Sequence, residues 1–447
     1  MTTNPRKFDY SDIIERICDC GYQAYLVGGV ARDILAGEDP SDMDIATDAT
    51  PDVVELLFRD RRVKTVGKSF GVVRVDGCEV ATFRHDRYSG LDDKACEVSY
   101  AETIEEDLGR RDLTINAMAF CNRSGDIIDP HNGRKDLKNR TIRFVGNPKD
   151  RICEDPNRIV RACRFLAKID GQFSTETFEA IKDYTFYVRD HVAPERLKSE
   201  IMKAMNIQAA SRFFYAMHNI GALQYLFPSM DRCYNHPHGS HHLEDVFDHL
   251  MLCGDSISPK FPLLKLAGYL HDVGKPPEYK LDQKTEKYHF GGHASTGSEM
   301  VRSEMSRLKF SNKEINVVTF LIGLHMKKVR NISRKSARRL LANLESRGIG
   351  YKNFLRLQIA DRKANLAKQP YGFHDIKEMT MVIKRELSTP FSVNDLAVNG
   401  REVMEILNIP QGPKVGEVLN GLFDHVMDKG QEANDRQKLL AIIHGMK

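Results

Sequence analysis

The sequence has no run of apolar residues near the roughly 18 needed to span a membrane. The opening stretch, residues 1–17, lacks the apolar core of a signal peptide. No CxxC pair is present either, and the nine cysteines are an odd number scattered along the chain. These absences argue against a disulfide framework and favour reduced thiols. We therefore expect a cytoplasmic protein that is neither secreted nor embedded in a membrane.

A large excess of charge of one sign is also missing. The chain has 66 Lys and Arg residues against 62 Asp and Glu residues, for a formal net charge of +4. Charge alone is therefore no argument for binding nucleic acid. Contacts of that kind would have to come from local clusters such as Arg61–Lys64 and Arg334–Arg339, and such clusters are more often solvated surfaces.

The length of 447 residues predicts roughly two to four domains. Strand-like runs occur at 22–30 and 70–84, and an Asp76-Gly77 hairpin signal interrupts the second run. Beyond Arg151 the apolar residues recur at helical spacing, with Pro- and Gly-containing breaks near 233–242 and 387–395. The fold class predicted is α+β, with four blocks: a head at 1–150, a helical neck at 151–232, a helical domain at 233–386 and a helical tail at 387–447.

The first candidate site follows a glycine turn in the head. A predicted strand ends at Gly28-Gly29, where backbone amides can approach a phosphate closely, and a helix then begins. Asp42 and Asp44 are two residues apart, so on a strand both carboxylates point to one face. That geometry suits two divalent metals about 4 Å apart, which promote in-line displacement at phosphorus. Glu79 is the candidate third carboxylate, from a neighbouring strand.

An isolated Asp-x-Asp pair is usually a polar loop, but here it follows the glycine turn and Arg32-Asp33. Together these residues resemble the active-site signature of the tRNA nucleotidyltransferase/poly(A) polymerase family, on the fold shared with DNA polymerase beta. Three later stretches resemble further motifs of the family in the same order, at 110–120, 129–137 and 154–165.

The resemblance implies a polymerase-beta-like head with a small mixed sheet, followed by all-helical domains. It implies Mg²⁺ at Asp42 and Asp44, and addition of the 3′-terminal CCA to tRNA from CTP and ATP without a nucleic-acid template. The segment between Arg84 and Arg110 corresponds to the family's flexible loop, and 394–423 resembles its helical tail, expected to bind tRNA. The implied nucleotide contacts are Gly28, Gly29 and Arg32 at the triphosphate, and Arg111, Asp112 and Asn116 at the sugar and phosphates.

The stretch at 154–165, the fourth motif of the resemblance, predicts how a base is chosen. Asp155 can accept a hydrogen bond from the exocyclic amine of cytosine or adenine, while Arg158 donates a hydrogen bond to a ring acceptor. Uracil and guanine present a carbonyl instead, which leaves the carboxylate unpaired at a cost of roughly 1–3 kcal/mol. The simpler alternative is a helix cap with a Glu154–Arg158 pair. Arg158, Arg161 and Arg164 share one helical face, which predicts either a phosphate path or an ordinary basic surface.

A second candidate site lies in the third block. Imidazoles and carboxylates on successive predicted helices suit a divalent metal such as Mn²⁺, Fe²⁺ or Ni²⁺, which activates water for phosphoester hydrolysis. The set resembles the HD metal-dependent phosphohydrolase superfamily, which implies phosphatase or phosphodiesterase activity, for example on 2′,3′-cyclic phosphates, with one of these metals or Mg²⁺. The implied ligands are His249, His271, Asp272 and Asp361, with His293 and His325 added in two-metal members.

Two other functions stay open. One is a poly(A) polymerase or a partial CC- or A-adding enzyme of the same fold. The other is an HD phosphohydrolase whose head only binds RNA. A scaffold with relict sites is disfavoured, because every presumed ligand position has a competent residue.

Overall fold

The chain forms two compact units in a computed structural model, Met1–Leu226 and Phe227–Lys447. The finer division into four blocks stays a prediction. Among the described residues, no helix is both long and apolar enough to cross a membrane. The structure describes residues 11–38, 40, 43–65, 67, 70–88, 96–239, 242–282, 287–327, 332–368, 372–387 and 392–447.

The first unit is built on a mixed sheet of seven short strands in the order β3-β4-β5-β2-β1-β8-β9. Its neighbours are antiparallel except β2 and β5, which are parallel. A separate antiparallel pair, β6–β7, and a parallel pair, β10–β11, complete the strands. The strands are β1 Ala24–Val27, β2 Asp44–Thr47, β3 Val63–Lys64, β4 Val72–Val75, β5 Cys78–Thr82, β6 Arg84–Tyr88, β7 Cys96–Tyr100, β8 Ala119–Phe120, β9 Ile127–Ile128, β10 Thr141–Ile142 and β11 Gln172–Phe173.

The hairpin between β4 and β5 shows why the sequence folds this way. Asp76 and Gly77 have φ angles of 51° and 97°, the left-handed pair that a two-residue hairpin turn requires. Burial alternates along β5, so one face packs on a core that includes Ile14, Val30 and Phe58. The predicted α+β head is confirmed.

Twelve helices surround this sheet and continue beyond it within the described part of the first unit. A 3₁₀ helix, Thr114–Asn116, lies between α4 and β8. The α-helices are α1 Ser11–Asp19, α2 Gly29–Leu35, α3 Pro51–Leu57, α4 Ile104–Gly109, α5 Gly133–Lys138, α6 Pro148–Glu154, α7 Asn157–Lys168, α8 Thr175–Asp183, α9 Tyr187–His191, α10 Pro194–Ala204, α11 Ser211–Asn219 and α12 Leu223–Leu226.

Among its described residues, the second unit is helical apart from one antiparallel hairpin, β12 Lys280–Asp282 with β13 Lys287–His289. Helix α14 packs against α15 and α19, and α16 packs against α17. A separate apolar cluster joins α21, α22 and α23 through Val403, Val426 and Leu439. The helices are α13 Pro228–Asp231, α14 Val246–Asp255, α15 Pro262–Leu270, α16 His293–Arg307, α17 Asn312–Leu324, α18 Arg334–Glu345, α19 Tyr351–Ala364, α20 His374–Arg385, α21 Gly400–Leu407, α22 Pro413–Lys429 and α23 Arg436–His444.

Gly133 allows α5 to pack directly on the 3₁₀ helix. A Cβ at this position would lie 2.2 Å from the carbonyl oxygen of Thr114 and 2.9 Å from Cγ of Met118. We expect Gly133→Ala to lower the free energy of unfolding by about 1–3 kcal/mol, because backbone must move. Urea unfolding followed by circular dichroism measures this. The control, Gly109→Ala, should change stability by less than about 0.5 kcal/mol, because its Cβ would meet only His131, at 3.9 Å. Equal effects would contradict the explanation.

Candidate functional site

The glycine turn brings two charged side chains together at the start of α2. Gly28 has φ 66°, and a Cβ there would lie 3.0 Å from Nη1 of Arg111 and 3.8 Å from Oδ2 of Asp44. A side chain would therefore be strained by the backbone angle and would crowd Arg111.

Asp44 begins β2, and the parallel register places it beside Glu79 of β5. Asp42 lies outside the described residues. The Glu79 carboxylate accepts a hydrogen bond from Nη2 of Arg74 at 3.2 Å, and Glu79 does not line the cavity that Asp44 lines. The strand register thus makes Asp44 and Glu79 neighbours, while the Glu79 side chain is engaged by Arg74.

A cavity of about 640 Å³ opens beside Gly28 and Asp44. Cationic side chains dominate its wall, as expected for a triphosphate site. It contains every nucleotide contact implied by the sequence motifs: Gly28, Gly29, Arg32, Arg111, Asp112, Asn116, Asp155, Arg158, Arg161 and Arg164. Sequence reasoning missed other members of the wall, namely Asp33, Arg84, Asp86, Arg110, Phe165, Lys168, Arg196 and Lys203.

Buried carboxylates hold these cations in place. Asp112 accepts a hydrogen bond from Nε of Arg161 at 2.8 Å. Burial alone would raise the pKa of Asp112, but the charge and hydrogen bond of Arg161 and the charge of Arg158 outweigh it and lower the pKa. Asn116 donates to Asp112 at 3.3 Å and accepts from Arg32 at 2.5 Å. One network thus connects the second motif to the helix after the glycine turn.

The proposed base-reading pair is held by other partners. Both oxygens of Asp155 accept hydrogen bonds from Arg196, at 3.0 and 2.8 Å, and its Oδ1 also accepts the N–H of Asn157 at 3.0 Å. Arg158 pairs with Glu154, the pairing of the helix-cap alternative, and donates to the carbonyl oxygen of Arg151 at 3.1 Å. Arg196 is 41 positions from Asp155, so no local pattern could have predicted this contact.

In the second unit, the structure brings all six predicted metal ligands together. Nε2 of His249 lies 3.1 Å from Oδ1 of Asp361, and Nε2 of His271 lies 3.7 Å from that oxygen. Nε2 of His293 and of His325 lie 3.2 and 3.1 Å from Oδ1 of Asp272. The ligand atoms fall into two groups, each within 4.8 Å: His249, His271 and Asp361, and Asp272, His293 and His325.

Backbone carbonyls orient three of the imidazoles. Nδ1 of His271, His293 and His325 each contacts the carbonyl oxygen three residues earlier, at 2.8, 2.6 and 2.6 Å. Because a carbonyl oxygen only accepts, Nδ1 carries a proton, and each ring in its neutral form then directs the lone pair of Nε2 into the cluster. This is the tautomer that binds a metal through Nε2.

The buried polar atoms of this cluster fit a divalent cation. Nε2 of His271 and Oδ1 of Asp272 are buried and have no hydrogen bond among the described residues, an arrangement that is costly without a ligand. Burial alone would raise the pKa of Asp361, but the adjacent imidazoles of His249 and His271 outweigh it and hold the pKa well below its usual value. The carboxylate therefore stays ionised, as a metal ligand requires.

Sequence reasoning missed four side chains near this cluster, namely His238, His242, Glu244 and Lys275. Glu244 accepts from Nδ1 of His249 at 3.2 Å and contacts Nδ1 of His242 at 2.6 Å. Lys275 forms an ion pair with Asp272. His238, His242 and Lys275 line a cavity of about 610 Å³ together with the metal-ligand candidates. The histidine-rich stretch at 233–242 contains His238 and His242, but its pattern indicated only a domain break.

Three domain families match the chain. The Poly A polymerase head domain matches residues 24–143, the "Probable RNA and SrmB- binding site of polymerase A" matches 172–234, and the HD domain matches 239–349. The chain therefore has a Poly A polymerase head domain and an HD domain. The resemblance to the tRNA nucleotidyltransferase/poly(A) polymerase family with an HD domain is confirmed.

Relatives of two kinds match part of the chain. A CCA-adding enzyme of Bacillus pumilus is 42% identical over 197 residues, which are 43% of this chain and 48% of the relative. A Poly(A) polymerase I of Salmonella typhi is 36% identical over 234 residues, 49% of this chain and 50% of the relative. The chain thus spans about half the length of the curated relatives it matches.

Solved structures share the fold over almost the whole chain. The Bacillus stearothermophilus CCA-adding enzyme, solved in complex with CTP, has a TM-score of 0.70 at 24% identity and covers 99% of this chain and 98% of its own. At this identity the likeness shows the fold alone. A CCA-adding enzyme solved with ATP has a TM-score of 0.57 at 19% identity, with 98% and 95% covered.

The Asp112–Arg161 pair predicts a pH-dependent stability difference. Asp112→Asn should lower the free energy of unfolding by about 1–3 kcal/mol near neutral pH, since it removes a charged partner from a buried network. Because folding lowers the pKa of Asp112, this stabilisation is complete above the unfolded pKa of about 4 and is lost as the pH falls further. Urea unfolding from pH 7 to 3 should show the gap to wild type shrinking below about pH 4. A gap that grows with acidity would contradict this.

Proposed function

We propose that the protein adds the 3′-terminal CCA to tRNA, using CTP and ATP and no nucleic-acid template. The observation that carries the proposal is the cavity beside Asp44, because it gathers the glycine turn, the second motif and the base-reading helix in one place. The names of the relatives and of the solved structures support the same activity.

In this mechanism the 3′-hydroxyl of the RNA attacks the α-phosphate of the nucleotide, and pyrophosphate leaves. Asp42 and Asp44 would hold Mg²⁺, and Glu79 of the adjacent strand would join them as the third carboxylate after releasing Arg74. Mg²⁺ there would stabilise negative charge on the attacking and leaving oxygens. Gly28 and Gly29 let the triphosphate approach the backbone, and Arg32 and Arg111 pair with its oxygens.

Base choice rests on Asp155 and Arg158. An exocyclic amine of cytosine or adenine donates to Asp155, which Arg196 holds in place through both carboxylate oxygens. Arg158 gives up part of its contact with Glu154 and donates a hydrogen bond to the ring acceptor of the base instead. The carbonyl of uracil or guanine would instead face a carboxylate that cannot donate, which disfavours both bases.

The HD domain is proposed to hydrolyse phosphoesters, with 2′,3′-cyclic phosphate ends as the candidate substrate. His249, His271 and Asp361 would hold one divalent ion and Asp272, His293 and His325 a second; such ions supply a hydroxide nucleophile at neutral pH. Glu244 fixes the ring of His249 through Nδ1. Lys275, beside Asp272, is placed to pair with a substrate phosphate oxygen.

The second candidate function is a poly(A) polymerase, which the Poly(A) polymerase I relatives support. A tRNA lacking its last three nucleotides discriminates between the two when it is incubated with CTP, ATP, or both. We expect growth by two residues with CTP alone and by three with both nucleotides, read on a sequencing gel. Unlimited A addition would instead identify a poly(A) polymerase.

Substitutions at the acids of the head test the assignment. Asp42→Asn and Asp44→Asn should each lower kcat for nucleotide addition by at least about 100-fold, because each removes a carboxylate that would hold the Mg²⁺ whose positive charge stabilises the negative charge developing at phosphorus. The double variant His271→Ala/Asp272→Ala serves as a control and should leave addition intact, since these residues belong to the HD site. Addition that survives both head substitutions would make the head assignment wrong.

Metal removal tests the HD site. We expect chelation to abolish hydrolysis of a 2′,3′-cyclic phosphate, and Mn²⁺ or Ni²⁺ to restore it. His271→Ala/Asp272→Ala should show no restoration, whereas Asp44→Asn should hydrolyse at the wild-type rate. Hydrolysis by the His271/Asp272 variant at the wild-type rate would exclude this cluster as the hydrolytic site.

A further inference from the structure

The cavity of about 640 Å³ beside Gly28 and Asp44 is here named the nucleotide cavity. A second basic cleft, here named the α5 cleft, lies beside it in the first unit. It has a volume of about 790 Å³ and is lined by residues of α2 and α5 and by the end of α7. Arg32, Asp33 and Lys168 line both the α5 cleft and the nucleotide cavity. The two spaces are therefore adjacent.

The α5 cleft carries cationic charge that the protein does not neutralise. Arg134, Lys135 and Lys138 are exposed on α5, and none of them makes an ion pair with any residue the structure describes. Two of the three acidic residues of the lining pair with cations of the same lining other than those of α5. Asp33 binds Arg32 and Lys168, and Asp170 pairs with Arg140 at 3.1 Å.

Helix α5 is fixed firmly enough to present these cations in one position. Its buried Asp136 accepts from Oγ1 of Thr114 at 2.7 Å and from Nε of Arg143 at 3.1 Å. Asp129 accepts the first backbone N–H groups of the helix, from Gly133 at 2.7 Å and Arg134 at 3.0 Å. Thr114 begins the same 3₁₀ helix that carries Asn116 into the nucleotide cavity.

We propose that the α5 cleft binds the phosphate backbone of the RNA strand whose 3′ end enters the nucleotide cavity. The proposal rests on the proposed function, since a strand extended at its 3′ end must lead out of that cavity. Each nucleotide of the strand carries one phosphate, and unpaired Lys and Arg side chains neutralise phosphates with release of counterions. These contacts position the strand without reading its sequence.

The test is the triple variant Arg134→Ala/Lys135→Ala/Lys138→Ala. We measure its Kd for a tRNA lacking CCA by fluorescence anisotropy from 50 mM to 1 M salt, and its Kd for CTP. Three lost phosphate contacts should reduce the slope of log K against log [salt] by about 2–3. The Kd for CTP should stay unchanged.

A control variant matches the change in charge. Arg59→Ala/Lys64→Ala/Lys182→Ala also removes three exposed cations of the first unit, none of which lines the cleft or the cavity. It should keep the wild-type salt slope. If the triple variant and the control have the same slope and the same RNA affinity, the proposal is overturned. Loss of CTP affinity with unchanged RNA binding in a folded triple variant would also overturn it.

A second variant guards against misfolding. Lys138 lies in the last turn of α5. The single variant Lys138→Ala should reduce the salt slope by about 0.7–0.9. An unchanged slope would overturn the proposal even if the triple variant does not fold. Because RNA binding is measured without catalysis, the two proposals fail separately. If the wild-type protein adds no CCA but its salt slope for RNA binding depends on the cations of α5, the proposed function is contradicted and RNA binding at the α5 cleft is supported. Normal CCA addition with no effect at α5 contradicts the cleft.

Discussion

The pairing of buried carboxylates with arginines is the interaction on which the nucleotide cavity depends. A site for a triphosphate needs many cations in a small volume, and those cations repel one another when no ligand is bound. Asp112 holds Arg161, Asp107 contacts both Arg110 and Arg111, and Glu200 holds Arg164. Each carboxylate offsets the repulsion and also fixes a guanidinium in one orientation, so the cavity is organised before a nucleotide arrives.

The second unit also groups buried carboxylates with nitrogen-bearing side chains, but there the protein satisfies these groups only in part. There, two aspartates and four imidazoles converge, and their buried donor atoms face one another across distances that a small cation would bridge. Lys275 partly compensates the charge of Asp272. The cost of burying these groups is offset only partly within the described protein, which is typical of a site that a ligand completes.

Local sequence patterns predicted the parts of both sites that lie close along the chain. The turn at Gly28, the helix that carries Arg158, Arg161 and Arg164, and the hairpin at Asp76-Gly77 all follow from propensity and spacing over a few residues. The histidines were found because their types and order match a known superfamily. Arg196 and Glu200 could not be found in this way, because α10 reaches the cavity only through tertiary packing against α7. Glu79 shows an intermediate case, in which the sequence indicated the neighbouring strand but not the pairing with Arg74.

Carbonyl oxygens three residues earlier contact the rings of His271, His293 and His325. These contacts mean that the imidazole rings become ordered during folding, before an ion binds. Each ring is aligned by its own stretch of backbone, so its rotational freedom is given up while the chain folds. Capture of an ion then requires little further loss of side-chain entropy. Discrimination among divalent ions would accordingly depend on donor chemistry and coordination preference, rather than on how readily the protein rearranges around each one.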